Sequence, residues 1–386
     1  MALNKVDISM IEDVGGANNL VKLDANAKIP AGTGANLLNK PGPLTSASDP
    51  AIDSNKTLGT EWLNSTSGEM FICTDATAGA NVWTNVGAGT GDIAPFGGVG
   101  SRGVFGGRHN SYLNTMDYVT IATPGNATDF GDFTISSKSR DAVSNKTRGV
   151  WGGGHSSNTT IDYITIATPG NATDFGDLTQ GRSSMGPVNN GTRGAWGGGY
   201  AGGDVNTIDY ITIATVGNAT DFGDRTVIAY VIAGVSSSSR GVFGTGYKSS
   251  GGVNTNIIDY ITIATVGNAT DFGDLNTPLI RGSSGASDGS RGLFSSGYSD
   301  SPAGQQNVIV YITIATPGNS TDFGDLTETK NNTASCSDGT KGLCGGGQPS
   351  GFSNVIDYVT IATVGNAIDF GDLTVAGSEF GACSGD

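Results

Sequence analysis

Cysteine and histidine are nearly missing from these 386 residues, with four of the first and two of the second. The cysteines, Cys73, Cys336, Cys344 and Cys383, lack metal-ligand spacing, and two histidines do not suggest a zinc site, so no metal and no cofactor is expected. Buried free thiols are the expectation; a Cys336–Cys344 bridge between neighbouring strands is the alternative. Charge is also scarce, at 14% of residues, and basic charge more so: 20 Lys and Arg against 35 Asp and Glu, a net charge of −15. Nucleic acid is therefore not an expected partner, because Lys and Arg must neutralise its phosphates. Acidic excess mainly favours solubility. No window approaches the roughly 18 apolar residues of a membrane span, so membrane insertion is not expected. The start, MALNKVDISMIEDVGG, has no apolar core of about seven or more residues and does not resemble a signal peptide.

Glycine, by contrast, is abundant, at 63 residues. There is no collagen-like period, and strand patterning is clear between the glycines, so the composition predicts a turn-rich all-β protein. The stretch TIDYITIATPGNATDFGDLT, beginning at Thr160, comes back six times between Asn114 and Thr374. Aligned on the Asp-Tyr pair, the copies fall at Asp117-Tyr118, Asp162-Tyr163, Asp209-Tyr210, Asp259-Tyr260, Val310-Tyr311 and Asp357-Tyr358, at spacings of 45, 47, 50, 51 and 47 residues. With this β-branched content, such a period predicts a four-stranded propeller blade rather than a two-helix solenoid unit.

Each unit divides into four strands. In one copy they are SSMGPVNN from Ser183, GTRGAWGGG from Gly191, TIDYITIAT from Thr207 and ATDFGDRT from Ala219. Asn190-Gly191, Asp288-Gly289 and Asp338-Gly339 mark tight hairpins between strands one and two. T-P-G-N or T-V-G-N is expected to join strands three and four, with Pro169-Gly170 in a type II turn. This order resembles the kelch repeat: a glycine doublet (Gly106-Gly107, Gly152-Gly153, Gly197-Gly198, Gly345-Gly346), then a Tyr-bearing strand, then an aromatic on strand four. Copies four and five depart, with Gly244-Thr245 and Ser295-Ser296, and the aromatic is Phe130, Phe175, Phe222, Phe272, Phe323 or Phe370 where kelch units usually have Trp. The resemblance covers about 290 residues and implies a propeller; kelch propellers host both enzymes and binding modules, so it says little of function. The repeats open on a second strand, SRGVFGG from Ser101, and end on SEFGACSGD in the place of a first strand. Residues 97–386 are thus expected to form a six-bladed, kelch-like β-propeller closed by the C-terminal strand, without a free ring edge.

Residues 41–96 are expected to hold a linker and a small β module. PGPLTSASDP, from Pro41, has linker composition. GTEWLNSTSGEMFICTDATAGANVWTNVG, from Gly59, predicts strands over Glu61–Asn64, Glu69–Thr74 and Asn81–Val86, with Trp62, Phe71, Ile72 and Trp83 as apolar content. Packing of the tryptophans in a core is favoured over a sugar platform. The CTDATAGANVW phrase and LVKLDANAKIPAGTGANL, from Leu20, resemble segments of bacteriophage tail-fibre proteins. That resemblance implies a virion fibre protein: residues 1–40 as an attachment and oligomerisation segment, residues 1–96 contacting other virion proteins, a homotrimer, and assembly in the host cytoplasm.

Between copies, the distance from the Asp-Tyr position to the next strand-two Arg or Lys is nearly fixed, at 31 or 32 residues. From that Arg or Lys to the Asp-Tyr position it ranges from 14 to 19, so length varies only between strands two and three. In an antiparallel blade that loop shares a face with the connection from strand four to the next blade. One uniform and one diversified face suggest that the diversified one binds, since loops on a rigid scaffold are where recognition changes. Seven residues past the Arg or Lys stand His109, His155, Tyr200, Tyr247, Tyr298 and Gln348, candidates for receptor binding that could instead pack under their own loops. The basic residues Arg102, Arg148, Arg193, Arg240, Arg291 and Lys341 are expected to pair with acidic residues of the repeats. Asp129 and Asp132, and copies such as Asp174 and Asp177, are assigned capping and turn roles rather than Ca²⁺ binding.

No Ser-His-Asp grouping can be assigned, and the two histidines occupy equivalent positions of adjacent copies, so catalysis is not expected. The reading reached from sequence is a fibre head that binds a bacterial surface glycan or protein receptor through its variable loops. The alternative is a purely structural capsid, neck-fibre or decoration protein.

Overall fold

The structure is a computed structural model that describes residues 43–86, 99–109, 113–276 and 280–386. The attachment segment expected over 1–40 lies outside the described residues. The chain divides into two units, Met1–Ala94 and Pro95–Asp386.

The described part of the first unit is a four-stranded sheet. Glu61–Asn64, Met70–Asp75 and Val82–Asn85 form an antiparallel meander at nearly the expected bounds. The linker reading fails at Leu44–Ser46, which adds a parallel edge strand with Leu44 opposite Trp62. An edge strand needs only one bonded side, so Pro- and Ser-rich composition does not prevent it. Phe71, Cys73 and Trp83 are buried, Trp62 meets Trp83 edge-on at 5.8 Å, and the indole nitrogens donate to the carbonyls of Ser48 and Ala51.

The second unit is all-β, with no helix among its described residues. Four-stranded antiparallel sheets follow one another, and the arrangement is propeller-like. In the copy containing the opening motif, the strands are Asp141–Ser144, Arg148–Gly152, Thr160–Thr165 and Thr173–Asp177, paired in that order. Gly381–Gly385 pairs antiparallel with Arg102–Gly106, so the last strand stands as first strand beside Thr115–Thr120 and Thr128–Asp132. The first strands touch in succession: Asp141–Ser144, Gly186–Asn189, Ala233–Ser236, Ser284–Ser287, Ala334–Ser337, Gly381–Gly385, and again Asp141–Ser144.

The core lies between sheets, and the repeated residues build it. Phe133 and Trp151, from successive sheets, meet edge-on at 5.3 Å among Val104, Met116, Ile164 and Ile166. Each strand-four aromatic is buried and edge-on to its own tyrosine, as Phe175 is to Tyr163 at 5.9 Å. Burying each such ring contributes roughly 1.5–3 kcal/mol.

The turn between strands three and four is not the expected type II turn. It is I-A: the Thr168 N–H donates to the Thr165 carbonyl at 3.1 Å, burying Ile166. Gly217 lies at φ 154°, far from the roughly +80° of a type II turn. The P-G-N segment instead runs along the preceding sheet. Gly170 donates to Phe130, Ala172 to Asp132, and the Asn171 side chain accepts the Asp132 N–H at 3.1 Å. Every copy repeats that asparagine bond, ending with Asn126 accepting from Asp372. These asparagines are therefore stitches between sheets.

The aspartate of the Asp-Tyr pair is buried with a cation in five copies. Arg108 meets Asp117 at 2.7 Å, Arg140 meets Asp162 at 2.6 Å, Arg182 meets Asp209 at 2.8 Å, Arg225 meets Asp259 at 2.9 Å and Lys330 meets Asp357 at 2.8 Å, all with fully buried side chains. Attraction and hydrogen bonds must here offset a desolvation cost of several kcal/mol per ion, on the order of what breaking the pair would expose. The four cysteines are free and buried, so the Cys336–Cys344 alternative does not form. Burial pushes the thiols of Cys336 and Cys383 well up, which keeps them protonated.

Candidate binding face

The rim of the variable face is set by main-chain pairing. Each candidate residue meets the segment leading into a first strand. Ser183 bridges to Tyr200, Tyr230 to Tyr247, Asn331 to Gln348 and Ser378 to His109. Arg281 pairs with Tyr298 in a short ladder, and the His155 N–H donates to the Lys138 carbonyl at 3.0 Å. The next residue along each of those segments is left-handed: Ser139, Ser184, Val231, Gly282, Asn332 and Glu379, at φ from 53° to 71°. For a β-branched residue such as Val231 this conformation is unfavourable and requires compensation.

The compensation is a circuit of main-chain hydrogen bonds. Ser184 donates to Ser139, Val231 to Ser184, Gly282 to Val231, Asn332 to Gly282, Glu379 to Asn332, and Ser139 to Glu379. The cavity these residues line holds only about 40 Å³. Asp141 borders it and accepts the Met185 N–H at 2.8 Å. Burial pushes this carboxyl up to about 8, with the Met185 bond acting the other way, so at neutral pH it is largely protonated.

The six candidate residues do not form one uniform ring. Tyr200, 40% exposed, lies 5.4 Å from the ring of Tyr230, which lies 5.6 Å from the ring of Tyr247. The Arg281 guanidinium sits 4.3 Å from the Tyr247 ring centre and 4.8 Å from that of Tyr298. Three predicted residues are thus joined into one row by two that the sequence reading did not select. Tyr230 and Arg281 lie in the least regular segment of the repeat, and only the pairing with Tyr247 and Tyr298 brings them to the rim.

The other three lie apart from this row. His109 is edge-on to Phe352 at 5.3 Å, with Nδ1 3.3 Å from Glu379, which also receives Lys138 and the Ser139 hydroxyl. His155 is exposed, its Nδ1 2.9 Å from the Ser156 hydroxyl. Gln348 is half-buried beside Asn332.

Charges along the row are largely met within it. Arg281 lies 3.5 Å from Asp300 and donates to Asn254 at 3.3 Å. Asp204 accepts from the Ser249 N–H at 2.6 Å and hydroxyl at 2.7 Å. Burial raises the Tyr230 phenol, partly opposed by a hydrogen bond with Ser249, so the phenol stays neutral.

Among the described residues, the strand-two basic residues pair with no acid. Arg148 lies over the ring of Tyr163 at 4.3 Å and donates to the Ile213 carbonyl of the next copy at 3.0 Å. Arg102, Arg193, Arg240 and Arg291 repeat both contacts, and Lys341 reaches the carbonyl of Ala122. The tyrosine face directs the cation along the sheet, and the last turn of the next copy presents the acceptor. Asp177 accepts the Thr159 hydroxyl at 2.7 Å, a cross-strand contact at the end of the pairing of Thr160–Thr165 with Thr173–Asp177 rather than a turn contact.

No family model matches the chain, and no curated protein matches it. A solved structure titled "Structure of YjhT" is similar, with a TM-score of 0.53 and 9% identity over 64% of this chain and 87% of that one. At that identity the likeness concerns fold alone, and the fold it supports is an all-β, propeller-like succession of four-stranded antiparallel sheets.

Proposed function

We propose that this chain is a virion fibre protein whose C-terminal head recognises a receptor on the bacterial surface through its variable rim. In this reading the head is a six-bladed, kelch-like propeller closed by Gly381–Gly385. The unbroken succession of first-strand contacts and the hydrogen-bond circuit from Ser139 back to Ser139 support that count. Residues 1–96 serve as stem, joining the particle and a homotrimer, a role that rests on the fibre-like phrases from Leu20 and Gly59.

The observation that carries receptor binding is the row Tyr200, Tyr230, Tyr247, Arg281 and Tyr298 on the face where loop length varies. Aromatic side chains with a polar end suit recognition, since they offer ring faces and hydroxyls at low entropic cost. The reading is non-enzymatic and needs no cofactor or metal.

The test is adsorption of the full-length protein to host cells, before and after exchange of the variable loops, with labelling of its position on intact particles. Loss of adsorption and a peripheral position are expected. Unchanged adsorption after all loops are exchanged would leave a structural capsid, neck or decoration role.

A further inference from the structure

The rim admits a ligand in one of two places, over the central axis or along the tyrosine row. The axis is closed to anything as large as a sugar ring. Six main-chain hydrogen bonds draw the lining residues together, and the cavity they line, about 40 Å³, has room for about three water molecules. The row lies off that axis and spans three successive copies, because Tyr200, Tyr247 and Tyr298 belong to the third, fourth and fifth.

The charge pattern of the row selects among ligands. Arg281 is stacked between two rings and faces Asp300, and Lys248 follows Tyr247 in its short strand. Asp204 and Asp300 border the row, and the whole chain carries −15. An anionic polymer would meet two carboxylates and an unfavourable long-range field. An uncharged saccharide can place its apolar ring faces on the tyrosines while its hydroxyls bond to phenols, Arg281 and the carboxylates.

We infer that the row from Tyr200 to Tyr298 binds one uncharged saccharide chain, laid across three successive repeats and away from the axis. This rests on the reading of the rim as a recognition surface. It makes affinity depend on the number of sugar units, since successive units engage successive rings.

The experiment uses the full-length protein and neutral and carboxylated oligosaccharides of one to six units, at two salt concentrations. Expected are binding of neutral chains, a rise of about tenfold or more from two units to four, little salt dependence, and a loss of about tenfold or more in Tyr247→Ala. Val216→Ser, on the uniform turns, serves as the control and should bind as the parent does. Tyr247→Phe, which keeps the ring, should retain most affinity, and circular dichroism of each variant reports folding. Binding confined to carboxylated chains, or affinity independent of length, overturns the inference. Loss in His155→Ala and Gln348→Ala with full binding in Tyr247→Ala also overturns it while leaving rim recognition standing. Absence of binding to every saccharide, with host-cell adsorption retained, overturns the saccharide and not the receptor role.

Discussion

Thr374 gives its hydroxyl hydrogen to the carboxylate of Asp117 at 2.6 Å across 257 residues of sequence. The same bond joins Thr134 to Asp162, Thr179 to Asp209, Thr226 to Asp259 and Thr327 to Asp357. Each buried aspartate is thus held by a threonine of the preceding copy as well as by a cation. The fifth copy has Val310 where the aspartate stands and Asn276 where the threonine does. Asn276 bonds instead to Ser320. Donor and acceptor disappear together, as expected when an unpaired buried polar group is costly.

A prediction follows for the second copy. Arg140→Met alone leaves the Asp162 carboxylate buried without its cation and should cost about 3–5 kcal/mol. The triple variant Thr134→Asn, Arg140→Met, Asp162→Val takes the fifth repeat's Asn and Val at two positions, removes donor, cation and acceptor together, and should recover most of that loss. Urea denaturation of both measures it; a triple variant no more stable than the single one would contradict the argument.

Gly176 is at φ 145°, and a Cβ there would lie 2.6 Å from the Gly217 carbonyl carbon and oxygen of the next sheet. Backbone on both sides cannot yield, so Gly176→Ala should destabilise by about 2 kcal/mol or more. Gly170, where a Cβ meets nothing within 4 Å, is the comparison, and Gly170→Ala should stay within about 0.5 kcal/mol of the parent. Thermal melts of the two variants distinguish these outcomes.

Removal of residues 381–386 should disrupt more than one sheet. It uncovers the edge of Arg102–Gly106 and removes carbonyls that accept from Trp151 at Gly381 and from Ser144 at Ser384. An exposed edge strand templates pairing with another chain, so the truncated protein should associate at concentrations where the parent does not. Light scattering and sedimentation measure this, and an unassociated truncated protein with an unchanged melt would contradict it.

Asp141 supplies a pH dependence of definite sign. Its folded value, about 8, lies above the ordinary 3.8, so the folded state binds more protons than the unfolded one between those values. This contribution to stability is fully present below about pH 4, declines as pH rises, and is gone above about pH 8. Asp141→Asn keeps the side-chain acceptor for the Met185 N–H and removes the titration. The stability difference between parent and variant should shift against the parent by a few kcal/mol, on the order of 1.4 per unit of pH, from pH 5 to pH 8. A difference that does not change with pH would contradict this.

Repetition made the fold legible. Strand order follows from the Asp-Tyr register, the aromatic Phe175 and its copies occupy the core, and Gly381–Gly385 lies where the missing first strand was expected. Misreadings arose where a residue serves the neighbouring sheet rather than its own. Pro169-Gly170 has turn composition, yet Gly170 and Ala172 are committed to bonds with Phe130 and Asp132. Arg148 sits near acids in sequence, but Tyr163 directs it to the carbonyl of Ile213. The candidate site was half legible. Tyr200, Tyr247 and Tyr298 share a register readable from the Arg spacing; Tyr230 and Arg281 also keep a fixed place, ten residues before Arg240 and Arg291, but in a segment whose residue types vary, and the cross-chain pairing is what identifies them as neighbours of the tyrosines.

The rim positions are held through N–H and C=O groups, which every residue but proline carries in full. His109, His155, Tyr200, Tyr247, Tyr298 and Gln348 already show three different side chains accepted at one structural position. What the face presents is therefore uncoupled from what keeps it in place. A lineage carrying this chain can rewrite the surface one side chain at a time, with each change screened for what it touches outside and hardly at all for whether the protein still folds.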